Sequence, residues 1–136
     1  MQSPLAGEPA AATPAATAAT AEGATPPVSR VVLLDQRLPQ VLATERVEIR
    51  RITIAPGQAA GLHVHNGPVF GSIETGSAVY QIEGEPPAVL APGDVFYEPA
   101  GARIARFDAQ QDGVTFLGYF LLPEGTTAEL VFPDDH

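Results

Sequence analysis

Pro56-Gly57-Gln58-Ala59-Ala60-Gly61-Leu62-His63-Val64-His65, continued by Asn66-Gly67-Pro68-Val69-Phe70-Gly71 and closing at Gly76, is the stretch on which the fold turns. It holds two of the three histidines in the chain, two residues apart and flanked by glycines. On a β-strand, residues i and i+2 project from the same face. His63 and His65 therefore point the same way, either into a barrel or out to water. Two imidazoles on one face form a chelating edge for a divalent transition metal. Pro56-Gly57 before the edge and Asn66-Gly67-Pro68 after it are turn signals, which predicts a strand from Ala59 to His65 between them.

The same punctuation continues in both directions. Upstream, Val31 to Leu34 is a short apolar strand candidate, and Arg46 to Ile54 alternates. Val47 and Ile49 share one phase and Ile52 and Ile54 the other, which predicts a β-bulge at Arg50-Arg51. Downstream, Val69 to Glu74 and Ser77 to Glu83 read as two strands separated by Thr75-Gly76. Further strands are expected at Val95 to Glu98, Arg103 to Phe107, Val114 to Leu122 and near Ala128 to Phe132. Pro92-Gly93-Asp94, Pro99-Ala100-Gly101 and Asp112-Gly113 supply turns between them. Roughly nine or ten short strands with no convincing helix predict an antiparallel sandwich or barrel. Val114 to Leu122 is apolar on both faces. It reads either as a central strand covered on both sides or as one that meets a second copy of the chain.

The totals narrow the function classes. The chain has 136 residues, enough for one domain of ordinary size. It carries 16 Asp and Glu against 7 basic residues, all arginine, for a net charge of −9. That balance argues against nucleic acid and against anionic membrane surfaces as partners. Without cysteine there is no disulfide framework, no thiolate metal site and no thiol nucleophile. No apolar run approaches the length of a membrane span. Residues 1–29 differ from the rest: the first 27 hold ten Ala, five Pro and four Thr, and no aromatic residue. Prolines interrupt any alanine-driven helix there, and nothing large is available to bury, so a disordered tail is expected before a barrel over residues 30–136. Such a tract often follows a cleaved signal sequence, so the expectation is a periplasmic or secreted protein; the alternative is a native flexible tail on a cytoplasmic one.

The spacing of the two glycine-bounded blocks resembles the paired motifs of the cupin superfamily. The first motif reads G-x5-H-x-H-x3-4-E-x6-G, and Gly57, His63, His65 and Gly76 fall on it. The second reads G-x5-P-x-G-x2-H-x3-N, matched by Gly93, Pro99 and Gly101. The resemblance covers roughly residues 45–122. It implies an all-β fold, the double-stranded β-helix or jelly-roll barrel, with the histidines facing the interior. It also implies a metal centre of three His and one Glu, for iron, manganese, nickel, zinc or copper. Two of those four ligands are replaced here: Val69 stands at the Glu position and Ile104 at the second-motif His, while Asp108 closes the motif in place of Asn.

Two histidines and one carboxylate with open positions is itself an arrangement suited to ferrous iron. Glu98 is the candidate to complete it, as metal ligand or catalytic acid/base, because its strand runs into Pro99-Ala100-Gly101, close to where the missing His would hang. Tyr80 shares a phase with Ala78 and Ile82 and is expected to line a pocket or donate a hydrogen bond. Arg103, with Arg106, flanks Ile104 and is a candidate for an anionic ligand. The bland reading of each stands beside it: histidines hydrogen-bonded in the barrel as relics, Glu98 facing solvent, Tyr80 a core aromatic, arginines paired with surface acids. Three functions follow. One is a small-molecule-binding barrel with a weakly held divalent metal (Fe, Mn, Ni or Zn) at His63 and His65. The second is a metal-dependent dioxygenase, isomerase or lyase using His63, His65 and Glu98. The third is a structural or regulatory homodimer with a vestigial site.

Overall fold

A computed structural model describes residues 26–132. The expected N-terminal tail up to residue 25, and the terminal Asp134-Asp135-His136, lie outside the described residues. The chain divides into two units, residues 1–32 and 33–136. In the first, the described residues 26–32 form no strand. The strand expected at Val31 to Leu34 is absent: these side chains are exposed, and no described strand offers them a ladder.

The second unit is built from seven strands: β1 (Arg46–Ile54), β2 (Val64–His65), β3 (Val69–Ile82), β4 (Ala88–Leu90), β5 (Val95–Glu98), β6 (Ile104–Leu122) and β7 (Leu130–Val131). There is no helix among the described residues. The larger sheet has the order β1-β6-β3-β4, with β5 also on β3, and β2 pairs with β7 in a second sheet. All pairings are antiparallel. This is the all-β antiparallel barrel expected from the turn spacing, in the jelly-roll form that the family resemblance implied.

Two of the expected chain breaks are bends within long strands. β3 runs through Thr75-Gly76, and β6 runs through Asp112-Gly113. The β3–β6 register shifts between Ile73 and Thr75 and again between Gly76 and Ala78. Gly76 and Gly113 both have positive φ, 75° and 72°. They face each other so closely that a Cβ on Gly76 would lie 2.0 Å from the Gly113 carbonyl oxygen. Glycines at a bulge let both strands curl without ending.

The bulge predicted at Arg50-Arg51 does not form. Register is unbroken from Arg46 opposite Leu122 to Ile54 opposite Val114. The apolar residues of β1 simply lie on opposite faces. Ile52 and Ile54 pack inward, while Val47 and Ile49 are 52% and 58% exposed.

Strand alternation then builds the core. Phe116, Phe120 and Leu122 of β6 are buried, and so are Phe96 of β5 and Phe107. The rings of Phe107 and Phe116 lie 4.7 Å apart at 44°, and Phe96 sits 5.1 Å from Phe107. Each fully buried side chain of this size contributes about 1.5–3 kcal/mol. Phe96 has room because its cross-strand partner is Gly71. A Cβ there would stand 2.1 Å from the ring.

Candidate metal centre

The segment carrying the histidines is tied to β6 by backbone hydrogen bonds. Ala60 N–H donates to the Phe107 carbonyl and His63 N–H to the Ile104 carbonyl; Ile104 and Ala109 N–H donate back to His63 and Gln58. The expected strand from Ala59 to His65 is therefore a ladder that is only partly regular, with isolated bridges at Ala59 and His63 before β2. Gly61, at φ 86°, is the irregular point. Its carbonyl turns back to accept a hydrogen bond from His63 Nδ1–H at 2.7 Å. A carbonyl can only accept, so Nδ1 carries the proton and Nε2 is left with the lone pair of the neutral ring. An outer partner of this kind is what fixes the orientation of a metal-binding histidine.

Both imidazoles converge on Glu98. Its Oε1 lies 2.6 Å from His65 Nε2 and 3.6 Å from His63 Nε2. The rings stand edge to face at 5.0 Å, and all three residues are buried. Burial pushes the Glu98 carboxyl upward, but the hydrogen bonds and charge that His63 and His65 supply when protonated outweigh it, and the net direction is down. For His63, burial pulls the pKa down, and the Glu98 and Gly61 hydrogen bonds with the Glu98 charge raise it above the usual value. A lone pair and a carboxylate 3.6 Å apart are satisfied only by a cation between them, a proton or a metal. His65 Nδ1 is buried and has no hydrogen-bond partner among the described residues.

The donor set fits a transition metal. One ligand atom from each of His63, His65 and Glu98 lies within 4.8 Å of the others. Metal bonds of about 2.0–2.2 Å to N and O hold neighbouring ligands roughly 3–3.5 Å apart. The His63 contact is already near that spacing, and the His65 contact opens by under about 1 Å.

Register explains where the carboxylate comes from. Val69, at the position where the first motif has Glu, is the direct cross-strand partner of Glu98. The carboxylate thus reaches the site from the neighbouring strand, in place of the missing Glu rather than the missing His as first expected. Ile104, at the missing His, is fully buried opposite His63. The three candidate ligands open onto a cavity of about 390 Å³, walled by Phe96, Phe107, Phe116, Phe120, Ile52 and Val69 among others.

Comparison with known proteins agrees with this architecture. Residues 50–105 match the Cupin domain family. Over that stretch the chain is cupin-like in sequence, as it is in fold. No curated protein matches it in sequence. Solved structures share the fold: the DMSP lyase DddQ from Ruegeria pomeroyi (23% identity, TM-score 0.57, 66% of this chain and 45% of that one), and an oxalate oxidase in complex with glycolate (22%, 0.53, 63% and 45%). A protein with a double-stranded β-helix domain from Klebsiella pneumoniae also matches (20%, 0.53, 68% and 81%). The chain spans under half the length of the lyase and the oxidase. These likenesses are likenesses of fold.

The other candidates lie away from the cupin cavity. Tyr80 packs between Phe96 and Phe107, and its hydroxyl donates to the Tyr97 carbonyl. Burial first, then the charge of Glu98, raises its pKa, so it stays protonated. It supports the Phe96 wall from behind rather than lining the cavity. Arg103 is paired with Glu83 at 2.7 Å and Arg106 with Asp108 at 3.3 Å, all on exposed side chains. Neither arginine lines the cavity. Sequence reasoning passed over the four phenylalanines of the wall. Their signal was there in part: Phe116, Gly118, Phe120 and Leu122 alternate along one face of β6.

Proposed function

We propose that this cupin domain is a metal-dependent enzyme acting on a small organic molecule, of the dioxygenase, isomerase or lyase type. The observation that carries the reading is the position of Glu98 Oε1 between His63 Nε2 and His65 Nε2, at 3.6 and 2.6 Å. His63, His65 and Glu98 would hold iron, manganese, nickel or zinc. The ion would act there as a Lewis acid or an oxygen-activating centre, with positions left open for substrate. His63 is oriented for this by Gly61, and the wall around the site is largely apolar. Fold neighbours that include a lyase and an oxidase support the general class.

A second reading is favoured by one observation. Apart from the three ligands, no titratable side chain lines the cavity among the described residues. A barrel without a further acid or base suits capture of a small molecule as well as its conversion.

Self-association fits the exposed face of β1. In an antiparallel edge-to-edge pairing of two copies centred on Ile49, Glu48 would oppose Arg50 of the other copy and the exposed Ile49 would meet its own counterpart. An exported location remains our proposal from the composition of the first residues.

The deciding experiment is metal content by elemental mass spectrometry, on protein purified without an affinity tag or chelator, with His63→Ala and Glu98→Gln alongside. Near-stoichiometric metal that is lost in both variants supports the centre. A parent that takes up none of the four metals in excess rules it out.

A further inference from the structure

We infer that the ligand of this site is a largely apolar, ring-sized molecule that carries its polar chelating atoms, and any charge, at one end only. The inference rests on the metal-centre reading for the polar end and on the cavity for the rest. The cavity is chemically lopsided. His63, His65 and Glu98 supply polarity at one place. Among the described residues, the only other polar side chain in the wall is Thr53, whose hydroxyl is bonded to that of Thr115 at 3.0 Å.

Everything opposite the ligands is hydrocarbon or aromatic. Phe96, Phe107 and Phe116 form a contiguous patch, with centroids 4.7 to 5.7 Å apart, and Phe120 continues it to within 6.1 Å of His65. A flat ring in the ligand can extend this set of tilted rings by one more member. The volume, about 390 Å³, is what roughly a dozen waters would occupy at about 30 Å³ each. A two-carbon diacid would leave most of it empty.

Charge points the same way. No arginine lines the cavity among the described residues. Arg50 stands over the Phe120 ring at 5.1 Å, but Glu48 already holds it at 2.5 Å. A second carboxylate on a ligand would lie unpaired against phenylalanine, with a desolvation cost that no contact repays. The net charge of −9 also disfavours approach by anions.

The test uses three probes with a bidentate oxygen head: benzohydroxamic acid, acetohydroxamic acid and oxalate. They are titrated calorimetrically into the full chain loaded with zinc, with occupancy checked by elemental analysis. Burial of a phenyl group predicts that benzohydroxamic acid binds roughly ten- to a hundredfold tighter than acetohydroxamic acid, and oxalate no tighter than the latter. Ala60→Leu, which fills the cavity from its wall, keeps its zinc and loses the phenyl preference. Equal affinities, or a preference for oxalate, at full zinc occupancy overturn the inference and leave the metal centre standing. If the parent takes no zinc, the metal-centre reading fails, and the same pair titrated into metal-free protein reads the cavity alone. A phenyl preference there supports the apolar ligand, and its absence overturns it.

Discussion

Because Val69 and Glu98 face each other across β3 and β5, the carboxylate of the site can be moved across the strand pair by exchanging the two residues. Facing residues have Cβ atoms about 4.5–5.5 Å apart, within the span of a glutamate side chain. Both positions are 4% exposed and both line the same cavity. The exchange of Val69→Glu with Glu98→Val therefore conserves composition, volume and charge in the cavity and changes only the strand of origin.

Glu98→Val alone removes one of three protein ligands. Four-ligand structural zinc sites bind with about 10–16 kcal/mol, so one ligand is worth about 3 kcal/mol, on the order of a hundredfold in affinity. The double exchange is expected to recover affinity to within about tenfold of the parent. Metal affinity is measured by competition against a fluorescent chelator, with thermal melts as the control for folding. Glu98→Val leaves the imidazoles short of one partner, a loss of about 1–3 kcal/mol, which lowers Tm by roughly 5–15 °C and leaves the barrel folded at room temperature. Parent-like affinity in Glu98→Val would refute the ligand assignment. A double variant that melts like the parent yet binds no better than Glu98→Val would refute the register argument.

Gly71→Ala places a methyl 2.1 Å from the Phe96 ring, and should cost about 1–3 kcal/mol in a urea titration; an unchanged midpoint would show that the wall yields freely. Tyr80→Phe removes the hydrogen bond to the Tyr97 carbonyl, and should cost about 0.5–1.5 kcal/mol while metal affinity stays at the parent value. Ile49→Arg puts like charges face to face in the paired β1 strands and should leave only monomer in sedimentation velocity; a parent that is itself monomeric would dispose of the interface. For pH, the lowered Glu98 contributes stability above its ordinary value of 4.5 that is lost as pH falls through its folded pKa, and the raised His63 contributes stability below 6.5 that is lost as pH rises through its folded pKa. The metal-free protein should thus gain most from this pair between about pH 4.5 and 6.5. Metal competes with the His63 proton, so the metal-induced rise in Tm should grow with pH, and a flat dependence would argue against His63 as a ligand.

The i, i+2 pair His63 and His65 was legible because strand periodicity is local. The inward turn of Glu98 was half-legible, since it alternates with Tyr97 and only one of the two can face in. What escaped was long-range. Apolar residues on opposite faces in successive halves of β1 are indistinguishable, in one dimension, from a bulged strand. Gly76 and Gly113 read as chain breaks because a positive-φ glycine signals a turn equally well when it bends a strand. The four-phenylalanine wall combines Phe96 of β5 with Phe107, Phe116 and Phe120 of β6, which the sheet and the bend of β6 at Gly113 bring together.

The same limit explains the apparent loss of the metal site. Read as a string, the first motif lacks its Glu, and the centre falls to two ligands. A sheet, however, has two routes to one point in space: the residue itself and the residue facing it on the next strand. Val69 and Glu98 are such a pair, so the carboxylate is displaced rather than lost. The second-motif position has no such recourse. Ile104 faces His63, itself one of the three candidate ligands, so among the described residues no new donor replaces the missing His from across the ladder. The expected consequence is a centre with three protein ligands and one more open position than the four-ligand motif implies. An organic ligand reaching such a centre would come from the apolar cavity that His63, His65 and Glu98 line.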